Sequence, residues 1–96
     1  MKTFAQLKRD IKEGSKIKTV LNNIKPEKNG EIRKVGKVQS NAIAFEIEPK
    51  LNIWGQTVNL SWLWWGKASQ YEYENNIFKV FDENKNLCFI YEIMED

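Results

Sequence analysis

Apolar and polar residues alternate along most of this chain, which is the pattern of strands that bury one face of a sheet. The clearest case is the segment 42–48, in which isoleucine and phenylalanine alternate with alanine and glutamate. Pro49 is expected to end that strand, because proline cannot donate to a sheet ladder. Gly36 is expected at a bulge or a close crossing, and Asn75 and Asn76 at a two-residue hairpin turn. The predicted strands span residues 15–21, 31–38, 42–48, 58–65, 71–74, 77–82 and 87–94.

One segment near the start has helical periodicity instead. Thr3 begins a capping-box pattern, and the apolar residues that follow recur at the spacing of one helix face. Gly14 stands where a residue in the left-handed conformation commonly ends a helix. The sequence therefore predicts a helix over residues 4–13. Its apolar face comprises Phe4, Leu7 and Ile11.

All four tryptophans lie between residues 54 and 65. In the predicted strand 58–65, one parity is wholly apolar and therefore predicts a core face. That parity comprises Val58, Leu60, Trp62 and Trp64. The other parity turns apolar only at its end, so Trp65 is open to two interpretations: it lies beneath the helix, or it belongs to a contact patch. Trp54, in a loop beside Gly55, is open between a core position and a role in recognition.

Short strands with one leading helix indicate a single α+β domain over residues 1–96. The helix carries too few large apolar residues for a core of its own, so it is expected to cover a sheet. The predicted architecture is an N-terminal helix packed on a strongly bent antiparallel β-sheet, or on a small partly open β-barrel, of 5–7 strands.

The residue types present exclude several kinds of chemistry. The chain has no histidine and one cysteine, so histidine triads, histidine metal sites and thiolate clusters cannot form. Carboxylate pairs occur at Glu46/Glu48 and Glu72/Glu74, but alternating glutamates are common on solvated strand faces. Phosphate-loop, dinucleotide and nucleophile-elbow motifs are absent from the sequence. We therefore predict a protein that is not an enzyme and that uses no cofactor and no metal.

The expected location is cytoplasmic, without membrane contact. The chain begins with a polar amphipathic segment, and no apolar run approaches the roughly 20 residues of a membrane span. A single cysteine, Cys88, cannot form an internal disulfide and fits a reducing compartment. The oligomeric state is open between a monomer and a homodimer. A homodimer would use the final strand, whose second face carries Cys88, Ile90 and Met94. Whether that face meets the helix or another subunit depends on the strand order.

Charge is distributed unevenly, although the net charge is only +2. Residues 1–40 carry a net +7 and residues 41–96 a net −5. One hypothesis is a basic surface that binds single-stranded nucleic acid together with an exposed Trp54 or Trp65. Its basic residues are Lys16, Lys18, Arg33, Lys34 and Lys37.

A second hypothesis makes the acidic strand faces the working surface. They would imitate the phosphate backbone and dock on a nucleic-acid-handling protein, with Trp54 or Trp65 as the exposed aromatic. The acidic residues concerned are Glu46, Glu48, Glu72, Glu74, Asp82, Glu83, Glu92, Glu95 and Asp96, and the first four are the favoured contacts. Both hypotheses compete with the simpler interpretation that these charges keep a small β-protein soluble and discourage edge pairing.

Several blocks of the sequence resemble small proteins encoded by phages and mobile elements. These blocks are Thr3–Lys8, Gly14–Lys18, Arg33–Val35, Val38–Asn41, Ser61–Leu63 and Lys67–Ser69. The resemblance implies an accessory protein that inhibits host machinery, such as an anti-CRISPR or other anti-defence inhibitor, by binding a host protein. An inhibitor of this type is the favoured expectation. The alternative is the single-stranded nucleic-acid-binding module, and a third, weaker one is a structural protein that assembles through an exposed strand edge.

Overall fold

The alternating segments form one antiparallel sheet of seven strands in the computed structural model, which describes residues 2–94. The order across the sheet is β4-β3-β2-β1-β7-β6-β5. Two 3₁₀ turns, Pro26–Lys28 and Ala68–Gln70, lie in the connections. The strands are β1 (Lys16–Asn22), β2 (Ile32–Val38), β3 (Ala42–Leu51), β4 (Thr57–Trp64), β5 (Tyr71–Glu74), β6 (Ile77–Phe81) and β7 (Leu87–Met94).

The helix, α1, is shorter than predicted and spans Phe4–Asp10. It begins with the predicted capping box, because the Thr3 hydroxyl accepts from the Gln6 amide at 3.2 Å and the Gln6 side chain accepts from the Thr3 amide at 2.9 Å. The extension to residue 13 is wrong, since Ile11 is already extended, with φ −89° and ψ 119°. Ile11 is buried, so the chain leaves the helix early and still places this side chain in the core.

The core lies between α1 and one face of the sheet, which we call the helix side. Residues directly opposite in antiparallel strands share a face, and the pairs Ile17↔Ile93 and Phe78↔Tyr91 define this one. The opposite, uncovered face has no helix on it within residues 2–94. The buried cluster comprises Leu7, Ile11, Ile17, Val35, Ile43, Phe45, Tyr73, Phe78, Tyr91 and Ile93.

The sheet is curved but does not close. Its edges, β4 and β5, stand at opposite ends of the strand order, so the barrel alternative is wrong and the bent sheet is confirmed. With one α-helix, of seven residues, in the part of the chain that the structure describes, the domain is mostly β and fits the α+β class only in part. Register shifts between Val35 and Lys37 and between Glu46 and Lys50 accompany the curvature.

Two residues with a predicted effect on the strands, Gly36 and Pro49, lie at these register shifts. Gly36 lies at the first shift, as predicted, and a Cβ there would come within 2.8 Å of Glu46 Cγ and 3.0 Å of Leu60 Cδ2. Pro49 does not end β3, which continues to Leu51, because the second shift removes the proline from the ladder. The Asn75-Asn76 turn is as predicted, with φ of 52° and 63°.

β7 lies in the interior of the sheet, between β1 and β6. Both of its edges are therefore occupied by neighbouring strands. Its second face, which carries Ile90 and Met94, lies on the uncovered side of the sheet and does not meet the helix. Dimerisation through that face stays a prediction. No helix within residues 2–94 has the length and apolar character that crossing a membrane requires.

A partly buried hydrogen bond ties α1 to β5. The fully buried Tyr73 donates its hydroxyl to Asp10 Oδ2 at 2.6 Å, and Lys2 Nζ lies 3.7 Å from the same carboxylate oxygen. Burial, and then the Asp10 carboxylate, raise the pKa of Tyr73 from 10.0 to about 12.

We expect the Tyr73 hydroxyl to make stability depend on pH in the alkaline range. Because its folded pKa is raised, its contribution is complete below about pH 10 and is lost as the pH rises toward 12. Tyr73→Phe should lower the free energy of unfolding by about 1–2 kcal/mol at neutral pH and flatten this alkaline decline. Urea unfolding of both proteins from pH 7 to 11.5 measures the effect, and parallel pH curves would contradict it.

Candidate functional site

The register of β4 places two tryptophans on the uncovered face. Ile43 pairs with Leu63, so Leu63 faces the core, whereas Trp62 pairs with Ala44 and Trp64 with Ala42. The predicted core positions of Trp62 and Trp64 are therefore wrong: their exposed fractions are 37% and 62%. The wholly apolar set of alternate residues in this strand, which includes Trp62 and Trp64, therefore faces away from the helix.

Trp62 and Trp64 form a stacked pair. Their ring centroids are 5.8 Å apart and their planes differ by 25°. Ala42 and Ala44, their direct partners on β3, are fully buried although they lie on the uncovered face, so the two indoles are well placed to shield them. The small alanine side chains thus leave space for an aromatic platform across β3 and β4.

A row of lysines continues this face onto β2 and β1. Lys37 lies directly opposite Ala44, so Trp62, Ala44 and Lys37 form one line across three strands. Lys16 and Lys34 are direct partners, which places two like charges side by side. Within residues 2–94, no salt bridge joins a carboxylate to any lysine of this row. We call Lys16, Lys18, Lys34 and Lys37 the lysine row.

The row is bounded by acidic and apolar residues. Lys18 lies between Ile32 on β2 and Glu92 on β7, so the positive potential should be weaker there than beside Lys34. Glu46 lies near Gly36 and Leu60 on the same face. The strongest positive potential is therefore expected from Lys16 to Lys37, next to the tryptophan pair.

Arg33 does not belong to this surface. It is the direct partner of Ile17 and faces the helix side. Its guanidinium carbon lies 4.1 Å from the centroid of the Phe45 ring, and its Nε lies 3.2 Å from Glu31 Oε1. The structure separates Arg33 from the four lysines with which the sequence grouped it. It lines a groove of about 550 Å³, whose other residues include Lys25, Lys28, Lys50, Ser61 and Trp62.

Trp65 lies beneath the helix, which is the first of its two interpretations. It is half-buried, and its ring meets Phe4 edge-on at 5.7 Å and Tyr71 at 5.5 Å. Tyr71 also stacks on Phe4 at 4.6 Å and accepts from the Gly66 amide at 2.7 Å. Burial raises the pKa of Tyr71. Trp65 therefore holds α1 to the sheet and is not the exposed aromatic of a contact patch.

Trp54 is exposed, at the tip of the β3–β4 hairpin. Asn52 organises this turn, because its Oδ1 accepts from the Trp54 and Gln56 amides, each at 2.9 Å. Leu51, Ile53 and Trp54 have exposed fractions of 71%, 88% and 77%. We call these three residues the apolar tip. The sequence marked Trp54 but not its two apolar neighbours.

The acidic residues do not form one surface. Glu46 and Glu48 lie on β3, and Glu72 and Glu74 lie on β5, with β2, β1, β7 and β6 between the two strands. All four are exposed, but the lysine row lies between the two pairs. Glu46 and Glu48 therefore do not form a continuous acidic face with Glu72 and Glu74. Glu95 and Asp96 lie outside the residues that the structure describes.

No protein-family model matches the chain, and no curated protein or solved structure is significantly similar to it. The resemblance to phage and mobile-element proteins accordingly stays a prediction.

Proposed function

We propose that this protein binds single-stranded nucleic acid on the uncovered face of its sheet. The observation that carries the proposal is the stacked, exposed Trp62–Trp64 pair on the same face as the lysine row. Aromatic side chains beside a basic groove are the combination by which proteins bind single strands without base-specific hydrogen bonds.

The tryptophan pair would supply stacking surfaces for bases. A base in a single strand can present its π-face to an indole, whereas bases in a duplex are stacked on each other. Since neither Trp62 nor Trp64 is buried, a base can approach without unfolding of the sheet. The site is therefore expected to prefer single strands over a duplex of the same sequence.

The lysine row would contact the phosphates. Lys37 is two strands away from Trp62, which corresponds to about 10 Å at the usual strand spacing. A strand that stacks on the tryptophans thus runs toward lysines that lack an ion-pair partner within residues 2–94. Binding through phosphate contacts weakens as salt displaces the condensed counterions.

The direct test is binding of labelled single-stranded and duplex oligonucleotides at low and moderate salt, followed by tryptophan quenching. We expect micromolar or tighter binding of the single strand, weaker binding of the duplex and a steep decline with salt. If no oligonucleotide binds at low salt, the proposal is wrong.

Replacing Lys34 and Lys37 with glutamine should lower the salt dependence of that binding. Each lost phosphate contact to a single strand reduces the slope of log Kobs against log salt by about 0.7, so the double variant should lose about 1.4. The matched control is Arg9→Gln/Lys85→Gln, which removes the same charge from exposed positions outside the face. Equal slopes for the two variants would show that net charge, and not the lysine row, attracts the oligonucleotide.

A second candidate function is docking on a protein partner, as expected for an anti-defence inhibitor. The observation that favours it is the apolar tip, because large exposed apolar side chains on a hairpin are typical of contact sites. The separation of the two glutamate pairs leaves the tip, and not an acidic face, as the contact for such a partner. If no oligonucleotide binds, a pull-down from host lysate with Trp54→Ala as control is the next experiment. Loss of the captured protein in that variant would support docking, and equal capture would contradict it.

A further inference from the structure

β4 is an open edge of the sheet with unusual composition. Its sequence, Thr-Val-Asn-Leu-Ser-Trp-Leu-Trp, contains no charged residue and no proline. Natural edge strands usually carry charges, prolines or bulges that prevent pairing with another strand. The register shift between β3 and β4 adds residues to β3 only. Glu46 and Lys50 are four residues apart on β3, whereas their partners Leu60 and Val58 are two apart, so β4 itself is regular. An uncharged edge of eight residues is a template for another strand.

The backbone amide and carbonyl groups that face the open edge of β4 belong to the same alternate residues as Trp62 and Trp64. The Trp65 amide donates to the Asn41 carbonyl at 2.9 Å, on the β3 side. Successive residues of a strand direct their amide and carbonyl groups to opposite sides. Leu60, Trp62 and Trp64 therefore direct theirs away from β3, where no strand lies within residues 2–94.

The other edge of the sheet is protected. β5 has four residues, and the Lys2 amide donates to the Tyr73 carbonyl at 2.9 Å, an isolated bridge that occupies part of this edge. Glu72 and Glu74 add negative charge along it. With one edge open and the other protected, edge pairing between copies ends at two subunits and does not propagate into a fibre.

We propose that a second copy of this chain occupies the open edge, with β4 pairing antiparallel to the partner's β4. A two-fold axis perpendicular to the sheet gives this arrangement and keeps both helices on the same side. The second copy fits because its edge strand is equally uncharged, so no like charges oppose each other across the seam. The same axis brings both tryptophan pairs onto one continuous face. The proposal rests on the edge and is independent of nucleic-acid binding.

The test is sedimentation velocity of the full chain without nucleic acid. The protein concentration is varied from about 1 to about 200 µM, a range that spans the dissociation constants of weak dimers. We expect a concentration-dependent species with twice the 11.3 kDa mass of one chain. A chain that stays monomeric over the whole range would overturn the proposal.

The seam itself is tested by Asn59→Lys/Ser61→Lys, which places two positive charges on β4 without changing a tryptophan. Antiparallel pairing would bring these lysines close to those of the partner, so the variant should be monomeric at concentrations where the wild type is dimeric. The matched control, Ser69→Lys/Asn84→Lys, adds the same charge in exposed turns and should remain dimeric. Circular dichroism shows whether each variant is folded. A folded β4 variant that still forms the dimer would overturn the proposal.

Discussion

Trp65→Ala should lower the free energy of unfolding by about 3 kcal/mol, the largest loss expected from any single tryptophan. Deletion of a buried aromatic ring costs about 3–5 kcal/mol, and half-burial places Trp65 at the low end of that range. Its ring contacts Phe4, Tyr71 and Phe78, with centroid distances of 5.7, 5.5 and 6.3 Å. Loss of the ring therefore removes the packing that joins α1 to the sheet. Urea denaturation followed by circular dichroism measures the loss.

Two further variants separate the causes. Trp64→Ala is the matched control, and its 62% exposed ring predicts a loss below about 1 kcal/mol. Trp65→Phe keeps most of the ring contacts and removes the buried Nε1, which has no hydrogen-bond partner within the described residues. It should therefore retain most of the wild-type stability. Equal losses for Trp64→Ala and Trp65→Ala would mean that the assignment of the two faces is incorrect.

The assignment of those faces shows where local pattern stops determining the fold. Residues 71–74 and 87–94 are strands with the predicted bounds, because short-range alternation and the Asn75-Asn76 turn define them. In β4 both parities end in apolar residues, so alternation alone does not orient it. The orientation follows from pairing with β3, in which Ile43 faces the core and Leu63 lies opposite.

That pairing depends on an irregularity that sequence pattern does not reveal. Between the pairs Glu46↔Leu60 and Lys50↔Val58, β3 has three residues where β4 has one. A one-residue error in register reverses every side chain of a strand. Counting residues from the hairpin turn therefore does not determine on which face of the sheet Trp62 and Trp64 lie. The strong alternation of Ile43 and Phe45 with Ala42 and Ala44 was the available signal, since alanines leave room for rings on their own face.

Strand order brings the predicted basic residues together and separates the two pairs of glutamates. β1 and β2 are consecutive and adjacent, so their lysines come together as expected, apart from Arg33 on the other face. β3 and β5 are separated because β1 pairs with β7, a long-range contact between the two ends of the chain. Sequential strands are often neighbours, but the position of such a closing pair is not contained in local composition.

Trp62→Ala/Trp64→Ala should abolish measurable binding of single strands while leaving the fold intact. Stacking of a base on an aromatic ring contributes about 1–3 kcal/mol, or roughly 5- to 150-fold in affinity for each ring. Neither ring belongs to the buried cluster, but the pair covers Ala42 and Ala44, so circular dichroism must show that the double variant is folded. Anisotropy of a labelled oligonucleotide is the suitable measurement, because the variant lacks two of the four tryptophans that quenching would report.

The control is Trp54→Ala, which removes an equally large exposed ring from the apolar tip. It should bind the oligonucleotide as the wild type does, since Trp54 lies in the hairpin turn beyond the lysine row. Opposite results, with binding lost in Trp54→Ala and retained in the double variant, would move the contact to the tip. The comparison discriminates because both proteins lose exposed indole and neither loses a residue of the buried cluster. A difference in affinity between them therefore reports the position of the contact and not the stability of the fold.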